Sequence, residues 1–567
     1  MEPAALVTSN ILRADYAGSR ACADCHGAIH DAWERSPMHR MTRLARGGSV
    51  EAPFDGATLR VGPDTATMET RDGARYVTVS STRGGQHVYR VTKVIGGRYR
   101  EDYVGVDVTD AADPAKARNV ERVLPVSFVF STKSWRYKGY SVMVPERPGI
   151  RVHVAWSKTC IPCHNTLPSI TMLYDELIGP GAPAYQGRLS DHLLPTSRLW
   201  RVTPVDRPGL AAAVSQEVAR IGGTAPDVTE PLPAILRSAI AETRRHLGGE
   251  DLVEVGVGCE ACHGGAAEHA ADPGVLPSFE LRSPLLRAVA PDRVPSRAQW
   301  INRGCARCHT VLFSDYPWTW EGGQRSDALP GGSTTNSGEA RDFELGGCTS
   351  QLACVACHDP HAADQPAAVA KLGTLEGNQV CAGCHPTLAT PEGLRAHTHH
   401  APGAGSACLG CHMPKKNMGL AYELTRYHRI GSPTDASRVL GDRPLECALC
   451  HRDKTVKQLV DTMERWWGKR YDRTKLDVLY GDQHANVIDA TLARGKPHEQ
   501  AVAIGVLGEH GSPHDIPAIA PHLAHEYPLV RYYAKHAIEK LGEAQVPIDV
   551  ERPAAEVRVE LQRWRTP

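Results

Sequence analysis

The stretch Cys408-Leu-Gly-Cys-His-Met-Pro414 decides how this chain folds. Two cysteines three apart put both sulfurs on one turn of backbone. Their S–H bonds can then add across the two vinyl groups of one haem, and the histidine that follows offers its ring nitrogen to the iron. Cys-x-x-Cys-His is the attachment signature of haem c, and its ligand chemistry is that of a cytochrome. The pattern occurs eight times: Cys22/Cys25/His26, Cys160/Cys163/His164, Cys259/Cys262/His263, Cys305/Cys308/His309, Cys354/Cys357/His358, Cys381/Cys384/His385, Cys408/Cys411/His412 and Cys447/Cys450/His451. With 17 Cys and 27 His in 567 residues, chance placement gives roughly 0.02 copies. Zinc is the bland alternative. It wants four ligands, as paired Cys-x-x-Cys or a Cys/His set at finger spacing, and gives no reason for a histidine after every second cysteine. The sequence therefore predicts eight haems c, motifs 1 to 8 in chain order.

The rest of the composition is consistent with a chain built around cofactors. Phe is scarce (6), while Gly (52) and Pro (41) are abundant. Such a chain packs loops around haems, whose porphyrins replace missing aromatic volume. The length allows two to four domains. Basic and acidic residues balance at 64 each, and haem propionates add negative charge, which excludes nucleic acid as a partner. No run of eighteen apolar residues is present, so no transmembrane helix is expected. The opening Met1-Glu-Pro-Ala-Ala-Leu-Val7 lacks the basic and apolar regions of an export signal. Because bacterial haem c is attached outside the cytoplasm, a removed signal peptide and a periplasmic or extracellular location are expected.

The fold expected is a multihaem cytochrome c, mostly coil and short α-helices around haems, with a small antiparallel β insert and a C-terminal helical repeat domain. Residues 1–50 form the first haem segment, with a helix over 29–41. Residues 51–150 lack cysteine and read as the β insert. Strands are expected over 75–81, 87–95 and 126–131, from alternation, β-branched residues and Asp-Gly or Gly-Gly turns. Residues 151–452 carry seven motifs whose histidines close to 27 residues apart, too short for a core other than haem. Residues 310–347 read as a polar loop. From 453 to 567 the apolar positions take helical spacing, with Gly468 as a stop after Trp467. Ala503-Ile504, Leu507-Gly508-Glu509 recur as Ala537-Ile538, Leu541-Gly542-Glu543 at an offset of 34 residues. That period suggests stacked helical hairpins resembling a short HEAT-like array. Helices are expected over 501–507, 516–524 and 529–541.

A six-coordinate haem needs a second axial ligand. Twelve further histidines precede residue 452: His30, His39, His87, His153, His192, His246, His269, His361, His397, His399, His400 and His428. They suffice for bis-histidine ligation throughout, which gives low-spin iron and a comparatively low potential. His87 reads as a structural strand residue, and His399 as solvent-facing or bonded to a propionate. The seven histidines of the tail read as surface residues. Cys348, the seventeenth cysteine, reads as an inert thiol, with an axial ligand, cross-link or intermolecular bridge as alternatives.

Several blocks resemble multihaem cytochromes related to the tetrahaem partner of hydroxylamine oxidoreductase. They are Cys22-Ala-Asp-Cys-His26 with Trp33-Glu-Arg-Ser-Pro-Met-His39, Gly258-Cys-Glu-Ala-Cys-His263 running on to His269, Cys357-His-Asp-Pro-His361, His397-Thr-His-His400 ahead of motif 7, and Tyr427-His428. In such proteins the histidine beside one motif crosses to a neighbouring haem. The resemblance nominates His39, His269, His361, His397, His400 and His428 as distal ligands. His153 joins by analogy with histidines upstream of other motifs, and the eighth is His30, with His192 and His246 as alternatives.

Eight haems in about 450 residues imply neighbouring porphyrins near contact and a continuous electron path. The function expected is electron transfer in anaerobic or extracellular respiration, with redox proteins as partners. Self-association or partner docking through the tail, even a conducting filament, is the sharper expectation, against a tail that merely caps the last haem. The alternative is an octahaem oxidoreductase acting on nitrite, hydroxylamine or tetrathionate at one open haem. Some octahaem relatives mark that iron with Lys in place of the motif histidine, and this chain has none. No catalytic residue is assigned. An open haem would be sought at motif 2, beside Lys158 and Tyr174, or at motif 4, beside Asp315, Tyr316 and Cys348.

Overall fold

The structure is a computed structural model that describes residues 4–110, 120–138, 149–152, 154–178, 200–290, 294–309, 339–362, 365–419 and 421–564. His153, His192, Asp315, Tyr316, the side chain of Lys158 and most of the 310–347 loop lie outside them.

The first motif leads into helix α1, Gly27–Glu34. The helix ends well before Met41, as Pro37 lacks an N–H and disfavours helical backbone at Ser36. A separate short turn covers His39–Met41.

The β insert is larger than the small one expected. Among the described residues it has eight strands: β1 Thr42–Leu44, β2 Asp55–Val61, β3 Asp64–Arg71, β4 Ala74–Ser81, β5 Gly85–Gly96, β6 Arg100–Asp107, β7 Arg122–Val129 and β8 Ser134–Tyr137. Strands β2 to β8 follow one another as an antiparallel meander, and β1 pairs with the far end of β5. At the β3–β4 turn Asp72 and Gly73 both take positive φ, 48° and 77°, the geometry that matches strand twist in a two-residue hairpin. Alternate residues Ala66, Met68, Val77, Val79, Tyr89 and Val91 face inward and are buried. The sheet curls into a barrel-like shape. Phe54, just before β2, meets Trp135 of β8 edge-on at 5.1 Å, and Tyr103 and Phe128 complete the aromatic plug.

Between motifs 2 and 3 the chain builds a helical unit that the sequence reading passed over. Helices α2 (Arg207–Arg220) and α3 (Leu232–His246) pack with Ile170–Ile178 around Leu210, Val214, Leu236 and Ala239. Asp206 caps α2 by accepting from Gly209 N–H.

Past motif 8 the chain is helical. Helix α4 (Val456–Trp467) buries Val456, Leu459, Val460 and Met463, and stops at Gly468, whose φ is 64°. Thr455 and Gln458 cap its start reciprocally, a device that satisfies two orphan donors. Helices α5 (Pro497–His510) and α6 (Pro528–Gly542) carry the two copies of the 34-residue repeat. They pack closely enough that a Cβ on Gly508 would lie 2.9 Å from Ala537 Cβ. The tail has no core of its own. Met418, Leu424, Val439 and Leu449 of the motif 7–8 region, and Val129 of β7, belong to the same buried cluster as Ile504, Val530 and Ile538. Among the described residues no helix is long and apolar enough to cross a membrane.

Candidate functional site

In every motif the local backbone does the same work. The histidine N–H closes a helical turn onto the first cysteine's carbonyl, at 2.9 Å for His26 and His451 and 3.0 Å for His164, His309, His358 and His385. Motifs 3 and 7 do so as short helices, Cys259–His263 and Cys408–His412. One turn points both sulfurs and the imidazole to the same side. All seventeen cysteines are free of disulfides, so each motif retains both thiols for thioether formation.

The second cysteines of motifs 1, 3, 6 and 8, namely Cys25, Cys262, Cys384 and Cys450, lie at the surface of the polypeptide, where their thiols are open to thioether formation.

Fold contacts bring five of the nominated histidines opposite motif histidines from elsewhere in the chain. His269 stands 6.2 Å from His26 between ring centroids, His361 6.1 Å from His263, His428 6.2 Å from His358, His397 5.8 Å from His412, and His400 6.0 Å from His451. The first pair is 32° from parallel and the His263–His361 pair 5°. A metal–imidazole bond is about 2 Å, so two rings sharing one metal have centroids roughly 6 Å apart. The spacing is too wide for direct ring stacking and fits an iron in between. Backbone carbonyls orient several of these rings through Nδ1: Val275 O for His269, Gly431 O for His412, Thr398 O for His400 and Arg426 O for His428. That leaves Nε2 for a metal, the usual role of such a partner.

Motifs 2, 4 and 6 differ. Among the described residues no second imidazole lies at this spacing from His164, His309 or His385. His164 is buried, its Nδ1 has no partner, and burial holds its pKa down to about 4. His309 Nδ1 lies 3.3 Å from the Glu339 carboxylate, and this hydrogen bond pushes the imidazole up to about 9. Burial pushes the Glu339 carboxyl up, but its bond to His309 outweighs that and brings it to about 2. His30 and His39 do not oppose a motif histidine. Both pack on Trp33, at 5.0 and 4.2 Å, and His39 Nδ1 is buried without a partner. His246 lies at the end of α3, 3.4 Å from Glu242. His87 bonds Asp107 and Gly84 in the sheet, and His399 stacks on Trp466 at 5.0 Å. Cys348 is exposed with φ of 66°. Tyr174 is buried among Ile170, Leu173 and Leu210.

The motifs touch in a definite order. First-cysteine thiols lie beside one another across motif boundaries: Cys22 beside Cys259, Cys305 beside Cys354, and Cys381 beside Cys408. Cys262 lies within electrostatic reach of Cys305 and Cys308, Cys357 of Cys381, and Cys411 of Cys447 and Cys450. Motif 2 joins at motif 4, where Cys163 Sγ reaches Arg307 O at 3.8 Å and Cys308 Sγ reaches Pro162 O at 3.9 Å. The order is therefore 1–3–4–5–6–7–8, with motif 2 branching from motif 4.

Three polar residues missed by the sequence reading sit at these junctions. Each lies three positions before the first cysteine of one motif and accepts the N–H of the first cysteine of another. Ser19 takes Cys259 N at 2.9 Å, Asn302 takes Cys354 N at 2.8 Å, and Asn378 takes Cys408 N at 2.8 Å. The two asparagines also donate, at 3.0 Å each, to Leu352 O and Ser406 O, two residues ahead of the cysteine they hold. A recurring Ser or Asn at position −3 of motifs 1, 4 and 6 was the available signal.

Comparison with known proteins agrees with the motif reading. Residues 348–390, which hold motifs 5 and 6, match the family model "Doubled CXXCH motif". The chain is similar to the crystal structure of the outer cell wall cytochrome OcwA, with 14% identity and a TM-score of 0.37 over 93% of this chain and 100% of that one. No curated protein matches the chain. The doubled motif, with six further copies of Cys-x-x-Cys-His outside it, is the pattern for covalent attachment of several haems c.

Proposed function

We propose that the chain holds eight haems c and passes electrons along them as a single branched path. The observation that carries this is the unbroken neighbour order of the motifs, fixed by the hydrogen bonds to Cys259, Cys354 and Cys408 N–H, by the approach of Cys163 and Cys308 to the facing motif's backbone, and by cysteine proximity at the other junctions. Bound haem supplies the redox-active iron, and the protein supplies geometry, ligation and shielding. Cys22, Cys25 and the corresponding fourteen cysteines hold the porphyrin edges. His26, His164, His263, His309, His358, His385, His412 and His451 are the proximal ligands. His269, His361, His428, His397 and His400 are the distal ligands of motifs 1, 3, 5, 7 and 8, on the ring spacings given above. Two imidazoles per iron keep the ligand set fixed in both oxidation states, which suits a carrier.

A second reading concerns motif 4. His309 bonds a carboxylate where the other oriented rings bond backbone carbonyls. That favours an oxidoreductase acting on a small nitrogen or sulfur oxyanion at this one haem. A periplasmic or extracellular setting is the reading consistent with haem c attachment, and redox proteins are the partners. The tail belongs to the same reading as a short HEAT-like array, supported by the packing of α5 on α6 at the 34-residue repeat.

Intact mass of the holoprotein, with electron paramagnetic resonance of the oxidised state counted against total haem, tests both readings. Eight covalent haems with low-spin signals dominating are the expected result. A stoichiometric high-spin signal transfers support to the oxidoreductase. Fewer than eight covalent haems overturns the eight-haem carrier.

A further inference from the structure

The junction residues Ser19, Asn302 and Asn378 repeat one geometry at three unrelated places in the chain. In each case the clamp spans a long sequence gap, from residue 19 to 259, 302 to 354, and 378 to 408. In each case the two first cysteines of the clamped motifs lie beside one another. The other junctions lack the clamp among the described residues: motifs 3–4, 5–6 and 7–8 have only cysteine proximity.

The clamps are well built. Ser19 and Asn302 are 2% and 3% exposed. Ser19 is itself fixed, its hydroxyl donating to Glu254. Asn302 and Asn378 are bidentate in the same register, accepting from the cysteine N–H and donating to the carbonyl two residues earlier. A buried bidentate amide leaves a donor and an acceptor unsatisfied if removed, which makes the pairing specific. Because the clamped N–H belongs to the cysteine whose sulfur bonds the haem edge, the clamp fixes one porphyrin edge against its neighbour's.

We propose that these three residues are positioning residues that lock the haems of motifs 1 and 3, 4 and 5, and 6 and 7 into three close pairs. The unclamped junctions 3–4, 5–6 and 7–8, with the 2–4 branch, are the looser steps between pairs. This rests on the eight-haem reading, since it assigns the spacing of haems that reading requires. Any Ser or Asn placed three residues before a motif would not suffice: Ser157 holds that place before Cys160, yet among the described residues it accepts no N–H from another motif's first cysteine, as Ser19, Asn302 and Asn378 do.

The test is the circular dichroism of the Soret band on the fully loaded protein. Close porphyrin pairs couple their Soret transitions and give a two-signed band. S19A, N302L and N378L each remove one clamp. The expected result is a two-signed band reduced in each variant, with all eight haems still present by mass and the isotropic Soret absorbance unchanged. N378S keeps the acceptor that Ser19 uses naturally, and is expected to recover most of the band lost in N378L. S19A deletes a single oxygen and so decides the matter even where a leucine variant fails to fold. A wild-type band in any fully loaded, folded clamp variant overturns the proposal. A wild-type protein with fewer haems would instead overturn the eight-haem reading beneath it.

Discussion

At the scale of single residues, the histidine rings differ in what holds their Nδ1, and that difference reaches the iron. A carbonyl accepting Nδ1–H orients the ring, whereas a carboxylate also pushes electron density into it and makes it a stronger donor. Glu339 at 3.3 Å from His309 is such a carboxylate, so it would stabilise the ferric state of a haem held at motif 4 relative to haems whose histidines bond carbonyls. E339Q keeps the shape and removes the charge. One redox step of the holoprotein is expected to move up by about 59 mV or more, a tenfold change in a one-electron equilibrium, with the others nearly still and haem content unchanged. Optically monitored redox titration reads this directly. An unmoved titration curve would refute the tuning role. The motifs themselves were legible in the sequence, since covalent attachment needs fixed residues at fixed spacing. Which motifs lie against one another was not, since Ser19 and Cys259 meet across 240 residues of chain. Glu339 also stayed hidden, because thirty residues separate it from His309 and an isolated glutamate carries no local pattern. Asn302 and Asn378 were missed for the same reason: their partners are set by crossing in space.

At the scale of elements, the strands and tail helices were legible because their periods are local. The β5 strand alternates inward Tyr89 and Val91, and α4 repeats apolar residues on one face. The extent of the barrel-like sheet was not legible, since curling depends on which strands pair and on Phe54 meeting Trp135 across the whole sheet. The helical unit of α2 and α3 was passed over because a long gap between motifs reads as loop when motifs dominate attention. Elements also meet through buried charge. Arg443, after motif 7, bonds the Glu499 carboxylate of α5 at 2.8 Å, and Lys416 bonds Asp442 beside it. Arg443 and Glu499 side chains are 9% and 2% exposed. Glu499 also accepts from the backbone N–H groups of Arg443 and Lys496. E499A would leave the Nε and Nη2 groups of a buried guanidinium, which keeps only its Nη1 bond to Leu479 O, and two backbone N–H groups without an acceptor. Losing one partner of a buried pair costs roughly 3–5 kcal/mol, so the denaturant midpoint should fall markedly. A change within experimental error would mean the pair is hydrated and dispensable.

At the scale of the whole molecule, the tail is part of the structure around the last haems. Its helices share one buried cluster with Met418, Leu424, Val439, Leu445 and Leu449. Tyr533 of α6 donates to Glu423 O at 2.9 Å, in the hairpin that follows motif 7. Arg136 of β8 lies over Tyr422 at 4.7 Å and Tyr532 at 4.2 Å, so the barrel, the haem segment and the tail meet at one cation–π sandwich. Nothing in the linear sequence announces that meeting, since the three residues come from widely separated stretches. The tail also closes over motifs 7 and 8. Trp467 Nε1 donates to His397 O, and Trp466 stands edge-on to His400 at 6.0 Å, holding the histidines that face His412 and His451. A chain ending at residue 452 would expose the apolar cluster and release both rings. The expected outcome is a protein that loses low-spin ligation at the motif 7 and 8 haems, seen as two fewer low-spin irons per chain by electron paramagnetic resonance, and that aggregates through the uncovered Leu424 and Leu449. If the truncated chain stays soluble with all its low-spin irons, the tail is a separable module, and its surface rather than its packing becomes the place to look for its purpose.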